Sequence, residues 1–286
     1  MKKSKFKLFA ALLLAAAMTV LSLSSAAPVL ADETAAILAN AAKSPAVHTA
    51  PEGYDQNDFN KVRTFLEQTD SNGIRNGEKL NPDGYDPDDP ESWGALFVDE
   101  WGFEHEAYFD WEEVDGINRM FAINLTYIRD FAGTFDMSGL DALSTLDVDG
   151  GNFTTADLSN CYEMTHCYFA NSTLSSVNFF NCANVTELYL QDNELTEVLN
   201  LGDCTSLLFL DILMNNDLEE IDLSGCERII EHLDFSQTKV SDINETEMFA
   251  LCEFGCESSG ITELDLRNCN YLNYVNCNFC DMDFLY

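Results

Sequence analysis

Two columns of side chains in the second half of this 286-residue chain have types and spacing that could do chemistry. The first reads Asp147, Tyr168, Tyr189, Asp211, Asp234, Glu253 and Asn276, one residue every 19 to 23 positions. Asp149, His166, Glu187, Gln191, Phe209, Leu213, His232 and Tyr274 flank it. Rigid amphipathic rings beside carboxylates make apolar contacts and charge-assisted hydrogen bonds to a partner; they do not by themselves break bonds. From this set Asp147, Tyr168, Glu187, Tyr189, Phe209, Asp211, His232 and Asp234 are the expected binding residues. The competing reading is a solvated strand face with incidental aromatics. The second column reads Asp157, Asn178, Asn200, Asp222, Asn244 and Asp265. Carboxylates stacked a few ångströms apart repel unless neutralised, and calcium takes oxygen ligands, so Asp157, Asp222 and Asp265 are candidate Ca2+ ligands. The interspersed amides relieve the same repulsion without a metal. No other cofactor is called for.

Other chemistry is poorly supported. Residues 70–78 and 81–89 are rich in oxygen donors, but neither has EF-hand spacing, and turn formation accounts for them. The four histidines, His48, His105, His166 and His232, sit in no nucleophile-elbow or H-E-x-x-H context. An enzyme is not expected. All ten cysteines lie after residue 160. Cys161, Cys182, Cys204, Cys226 and Cys269 recur at one position of a repeating phrase, which lines them up as buried, reduced thiols rather than disulfides. A zinc site from Cys252, Cys256, Cys277 and Cys280 competes with the same repeat explanation.

The elements that must position these columns follow from the repeat. Leu-Ser-Asn-Cys161, Phe-Phe-Asn-Cys182, Leu-Gly-Asp-Cys204 and Leu-Ser-Gly-Cys226 stand 21 or 22 residues apart, and Leu-Arg-Asn-Cys269 two periods on. A unit of that size cannot bury its own apolar face and must stack on its neighbours, which makes a solenoid. From Leu140 about seven coils can be laid down, the last incomplete. Within each, L-x-x-L-x-L occurs twice, and its period-2 core is strand chemistry, so each coil carries one strand and an opposing extended segment with little helix. Val198, Phe249 and Cys252 are among the residues counted as inward-facing. The chain stops mid-coil at Phe284-Leu285-Tyr286, which fits truncation, dimerisation through that end or an unusual terminus.

Before the repeats, residues 1–31 read as a secretory signal peptide: Lys2, Lys3, Lys5 and Lys7, an apolar run from Leu8, and Val29-Leu30-Ala31 as the cleavage signal. Residues 32–53 read as a helical stub (Glu33–Lys43) and linker. Residues 54–139 read as an N-terminal cap made of a helix from Asp58 to Gln68 with Asp55 or Asn57 as its cap, an ordered acidic loop, and a tryptophan-rich hairpin turning at Asp115-Gly116. Residues 140–286 are the repeats. Removal of the leader takes four lysines and no acids, moving the formal charge from −36 to −40. Residues 140–286 hold 27 Asp and Glu against Arg228, Lys239 and Arg267. Nucleic acid and anionic lipid headgroups are therefore poor partners, with no nucleic-acid binding and no membrane insertion expected after leader removal.

The run Leu188-Tyr-Leu190-Gln-Asp-Asn193-Glu-Leu195 matches L-x-x-L-x-L-x-x-N-x-L in its core. The layout resembles the leucine-rich repeat family, in particular its bacterial exported type with nested half-repeats, over about residues 54–286. The resemblance implies a mainly β solenoid with a small α+β N-terminal cap, used for recognition and without intrinsic activity. It implies a secreted or cell-surface module whose concave face binds a partner protein. A glycan ligand, or a spacer role for a missing downstream domain, are the alternatives. The turn asparagine of the motif survives at Asn193 and Asn215 but is replaced by Gly151, Ser172, Thr238 and Cys280, which leaves the geometry of those coils open.

Overall fold

The computed structural model describes residues 48–98, 103–126, 130–243 and 247–286. The leader, the helical stub, Trp101 and Asn244 lie outside the described residues. The chain from Thr49 to Tyr286 packs as one unit.

Asp55 opens helix α1 (Gln56–Leu66) by accepting hydrogen bonds from the Asn57 and Asp58 amides, satisfying donors that a helix start leaves unpaired. Phe59, Val62, Phe65 and Leu66, at helical spacing, are buried on its inner face. The following stretch is more ordered than an acidic loop. A short helix α2 (Asn76–Leu80) and a 3-10 turn (Pro90–Ser92) punctuate it. Local propensity does not explain α2, because Asn-Gly-Glu-Lys-Leu is a poor helix former. Tertiary bonds do: the buried Asn76 amide donates to Phe65 O and Ala132 O, both at 3.0 Å, and accepts from Ala132 N at 3.0 Å.

Strands β1 (Ala95–Val98), β2 (Glu104–Val114) and β3 (Ile117–Asn124) are antiparallel, and β2 and β3 turn at Asp115 and Gly116 with φ of 54° and 83°. That is the two-residue hairpin geometry. Strand β3 then pairs in parallel with β5 (Thr145–Asp149), so cap and coils share one sheet. The sheet continues through β7 (His166–Ala170), β9 (Glu187–Tyr189), β11 (Phe209–Asp211), β13 (His232–Asp234), β14 (Glu253–Gly255) and β16 (Tyr274–Asn276), ten strands in all. On the other side run shorter parallel sheets: β4 (Phe135–Asp136), β6 (Thr155–Asp157) and β8 (Ser176–Asn178); β10 (Thr196–Asn200) with β12 (Asp217–Asp222); and β15 (Glu263–Leu264) with β17 (Phe284–Leu285). The protein is a β-solenoid of about seven coils with little helix.

The coils enclose one apolar interior. Leu146, Cys167, Leu188, Leu210, Leu233 and Phe254, in register from strand to strand, are fully buried. A phenylalanine cluster joins helix and coils: Phe65 lies 5.3 Å from Phe135, and Phe135 lies 5.1 Å from Phe169. Arg119 adds a polar tie, its Nε 2.8 Å from the fully buried Asp58 carboxylate and its other end on Asp141 of the first coil.

Each coil turns the same corner the same way. Gly150, Asn171, Asp192, Met214, Gln237, Ser258 and Phe279 all have positive φ, between 50° and 90°. The left-handed conformation costs most residues free energy, yet Met214 and Phe279 adopt it. The amide of each of the first six donates to a carbonyl of the next coil, as Asp192 N does to Leu213 O at 3.0 Å and Met214 N to Ser236 O at 3.0 Å. The residue just after the left-handed one turns inward and bonds backbone. Asn193 donates to Phe169 O at 2.8 Å and Leu190 O at 3.0 Å and accepts from Leu174 N at 3.2 Å. Asn215 repeats this with Leu190 O, Ile212 O and Leu195 N. Three of the four replacements keep the bond, Ser172 donating to Gly150 O, Thr238 to Phe235 O and Cys280 to Cys256 O, whereas Gly151 has no side chain to make it. The coils lacking asparagine retain the corner, the Gly151 coil through its backbone alone, with Gly150 N donating to Ala170 O at 2.9 Å.

Three inward positions differ from the sequence reading. Val198 is 51% exposed and Leu199 3%, because the pairing of β10 with β12 slips between Glu197 and Val198 and flips the following side chains. Phe249 points out, with Met248 and Leu251 buried in its place. Cys252 is half-buried, one frame outside the core.

Asn215→Ala leaves the Ile212 carbonyl and the Leu195 amide without their partner inside the solenoid, each costing about 1–3 kcal/mol, while Leu190 O keeps its bond from Asn193. Chemical denaturation should show a stability loss of several kcal/mol, against roughly 0.5 kcal/mol or less for the exposed neighbour Asn216→Ala.

Candidate functional site

The strand registers convert the repeat into two straight columns on the outer face of the large sheet. One runs Asp147, Tyr168, Tyr189, Asp211, Asp234, Gly255 and Asn276; the other runs Thr145, His166, Glu187, Phe209, His232, Glu253 and Tyr274. All eight expected binding residues fall in these two columns and share this face. Glu253 does not belong to the first column. It stands opposite His232, and Gly255 stands opposite Asp234. Taking Cys252 as inward-facing shifts the frame by two; the inward pair of that strand is Phe254 and Cys256. A Cβ at Gly255 would lie 2.4 Å from the Asp234 carboxyl carbon, so that carboxylate occupies the space over the glycine.

The rings form a continuous stripe across four coils. Tyr168 and Tyr189 have centroids 5.9 Å apart, Tyr189 and Phe209 4.8 Å, and Phe209 and His232 3.9 Å with their planes within 5°. His166 lies 5.6 Å from Tyr189. Phe209 therefore has a ring on each side, which leaves its edge as the open part. Carboxylates line the stripe. The Tyr189 hydroxyl donates to Glu187 at 3.3 Å, and burial followed by that carboxylate raises the tyrosine's pKa. His166 Nδ1 sits 3.2 Å from Glu187 and its Nε2 3.8 Å from Asp147; His232 Nδ1 sits 3.0 Å from Glu253. Burial raises the pKa of Asp147, which His166 opposes, and raises that of Asp211, where an amide bond from Leu213 works the other way. Beside Phe209 and His232 opens a concavity of about 510 Å3, lined also by Thr186, Leu208, Glu231 and Cys252.

Sequence reasoning missed Glu231, Leu208 and Cys252 as lining residues. The signal was present: they occupy the row just before each strand, where Thr165 and Thr186 stand in earlier coils. Cys252, His232 and Glu253 share the concavity, but the Cys252 thiol donates to its neighbour Ala250 O at 3.4 Å.

Several of the columns' acids also hold turns. Asp211 accepts from Leu213 N and Asp234 from Ser236 N, each two residues on. On the opposite side the same device recurs: Asp157 accepts from Ser159 N at 3.0 Å and from the Asn178 amide at 3.1 Å, Asp222 from Ser224 N at 3.0 Å, and Asp265 from Arg267 N at 3.2 Å. The Arg267 guanidinium beside Asp265 pushes that carboxyl down to about 2. In the acidic loop Asp70 accepts from Asn72 N and Ile74 N and pairs with Lys79 at 3.1 Å. An aspartate two residues before an amide is ordinary turn chemistry. Among the described residues no group of three or more His, Cys, Asp and Glu is placed to hold a metal ion.

The cysteines are free thiols. Cys161 donates to Met137 O at 3.4 Å and Cys182 to Leu158 O at 3.1 Å, each bonding the preceding coil. Of the four candidate zinc ligands, Cys256 and Cys280 have sulfurs 4.0 Å apart, while Cys252 bonds elsewhere.

Neither a protein-family model nor a curated protein matches the chain. Among solved structures it is similar to the functional domain of InlJ from Listeria monocytogenes, described as including a cysteine ladder. That match has 21% identity and a TM-score of 0.49 over 54% of this chain and 34% of that one. It is similar to the internalin InlF of the same organism at 13% identity and a TM-score of 0.43, over 58% of this chain and 60% of that one. A leucine-rich-repeat protein of Leptospira interrogans matches at 14% identity and a TM-score of 0.31, over 53% and 55%. The matched regions thus span between a third and three fifths of those chains.

Burial pushes the Cys182 thiol up to about 11 and that of Cys226 up to about 12, against an ordinary value of 9.0. A folded-state pKa above the unfolded one means the neutral thiol contributes its stability in full below pH 9 and loses it as pH rises toward 11 or 12. The melting temperature should fall across that window, and the fall should be shallower in Cys182→Ala and Cys226→Ala than in the parent chain.

Proposed function

We propose that this chain is a non-catalytic recognition module of an exported protein of the bacterial leucine-rich-repeat type, which binds a partner protein on the concave sheet face. The observation that carries this reading is the unbroken ring stripe Tyr168–Tyr189–Phe209–His232, crossing four coils on a face otherwise lined with carboxylates. Aromatic side chains lose little rotamer freedom on docking and bury much apolar area, which is why they anchor interfaces. The lysine-rich start followed by an apolar run supports export, and no helix among the described residues is long and apolar enough to cross a membrane.

The geometry favours a protein over a glycan. Sugars dock on open ring faces, whereas Phe209 is flanked by Tyr189 and His232 on its two sides. Ring edges and the carboxylates around them suit the alternating apolar and polar groups of a polypeptide. A non-catalytic role is supported by the Cys252 thiol in the concavity being engaged with Ala250 O, two residues back.

Replacing both Tyr168 and Tyr189 by alanine should weaken capture of the partner from a surface extract more than tenfold. The melting temperature should move by only the small amount that losing two half-buried ring contacts implies. Undiminished capture would place the binding surface elsewhere, and selective retention on a glycan array would favour the carbohydrate reading.

A further inference from the structure

We infer, resting on the concave-face reading, that the partner seats a lysine or arginine side chain in the concavity beside Phe209. That concavity, about 510 Å3, has an apolar wall of Tyr189, Leu208 and Phe209 and a rim of Glu187, Glu231 and Glu253. An apolar wall under an acidic rim matches a side chain with a methylene stem and a cationic head. The ring faces of Phe209 are taken by its neighbours, so the stem packs on ring edges and the head is held by the carboxylates.

The repeats supply no such cation themselves. They contain three basic residues, and each is paired away from the rim: Arg228 with Glu247 at 2.7 Å, Lys239 with Asp217 at 2.6 Å, and Arg267 with Asp265 at 2.5 Å. Among the described residues the rim has only imidazoles, His166 beside Glu187 and His232 beside Glu253. Closing a partner over the concavity would remove water from three carboxylates at once, which is costly unless a positive charge enters with it. Neutral and acidic segments are disfavoured by that cost.

The test uses the whole chain and two synthetic decapeptides, one alternating arginine with serine, the other with citrulline in place of arginine. Affinities are measured by calorimetry at physiological ionic strength. The arginine peptide should bind at least tenfold tighter than the citrulline peptide. The double variant Glu231→Gln, Glu253→Gln should lose at least tenfold for the arginine peptide. The exposed pair on the opposite side, Glu219→Gln with Glu220→Gln, should lose less than twofold. Equal losses in the two double variants would assign the attraction to net charge and overturn the inference, as would the absence of saturable binding. Equal affinity for the two peptides, with the Tyr168 and Tyr189 replacements still weakening partner capture, would also overturn it while leaving the concave face as the binding surface.

Discussion

The structure depends on what the side chain just after the left-handed corner does in five of the seven coils. There the chain must turn inward, and its carbonyls would otherwise face an apolar interior with nothing to bond. Asn193 and Asn215 each supply two donors and one acceptor to three backbone groups, two of them in the preceding coil. A buried backbone group left unpaired costs more than a hydrogen bond adds, so the corner acts as a condition for stacking and not as an increment to it. Leucine burial drives the coils together without specifying their phase. The corner side chains set it, and phase is what turns the repeat period into straight columns.

From those columns the aromatic stripe follows. Parallel register places Tyr189 beside both Tyr168 and Phe209, and Phe209 beside His232, although these neighbours are 20 to 23 positions apart in the chain. The same register stacks carboxylates, and the fold disposes of many of them as turn acceptors on both sides. Those that remain around the concavity are Glu187, Glu231 and Glu253. The basic residues of the repeats hold other contacts, so this rim is kept tolerable by solvation and by the imidazoles of His166 and His232 beside Glu187 and Glu253.

Most of this was legible because periodicity is a strong signal. The L-x-x-L-x-L phrases locate the strands, Asp55 locates the helix start, and Asp115-Gly116 locates the hairpin. The two outward-facing columns were legible wherever the phrase is regular, from Asp147 to Asp234. It failed at Cys252, where an apolar-looking residue sits one frame outside the core, and at Val198, where a slip in pairing reverses the alternation. Neither is visible to a count. The left-handed residues were hidden for a different reason: Met214 and Phe279 have no intrinsic preference for that conformation, and Met214 is held in it by the following coil through its amide bond to Ser236 O. Helix α2 was likewise hidden, since its order comes from Asn76 reaching Phe65 and Ala132, far away in sequence.

The corner bonds can be watched directly. Amide hydrogen exchange should show the Leu174 and Leu195 N–H groups, which donate to the Asn193 and Asn215 side chains, exchanging only with global unfolding. Exchange of those two amides through fast local opening, while the flanking strands stay protected, would mean the coils are held in phase by something else.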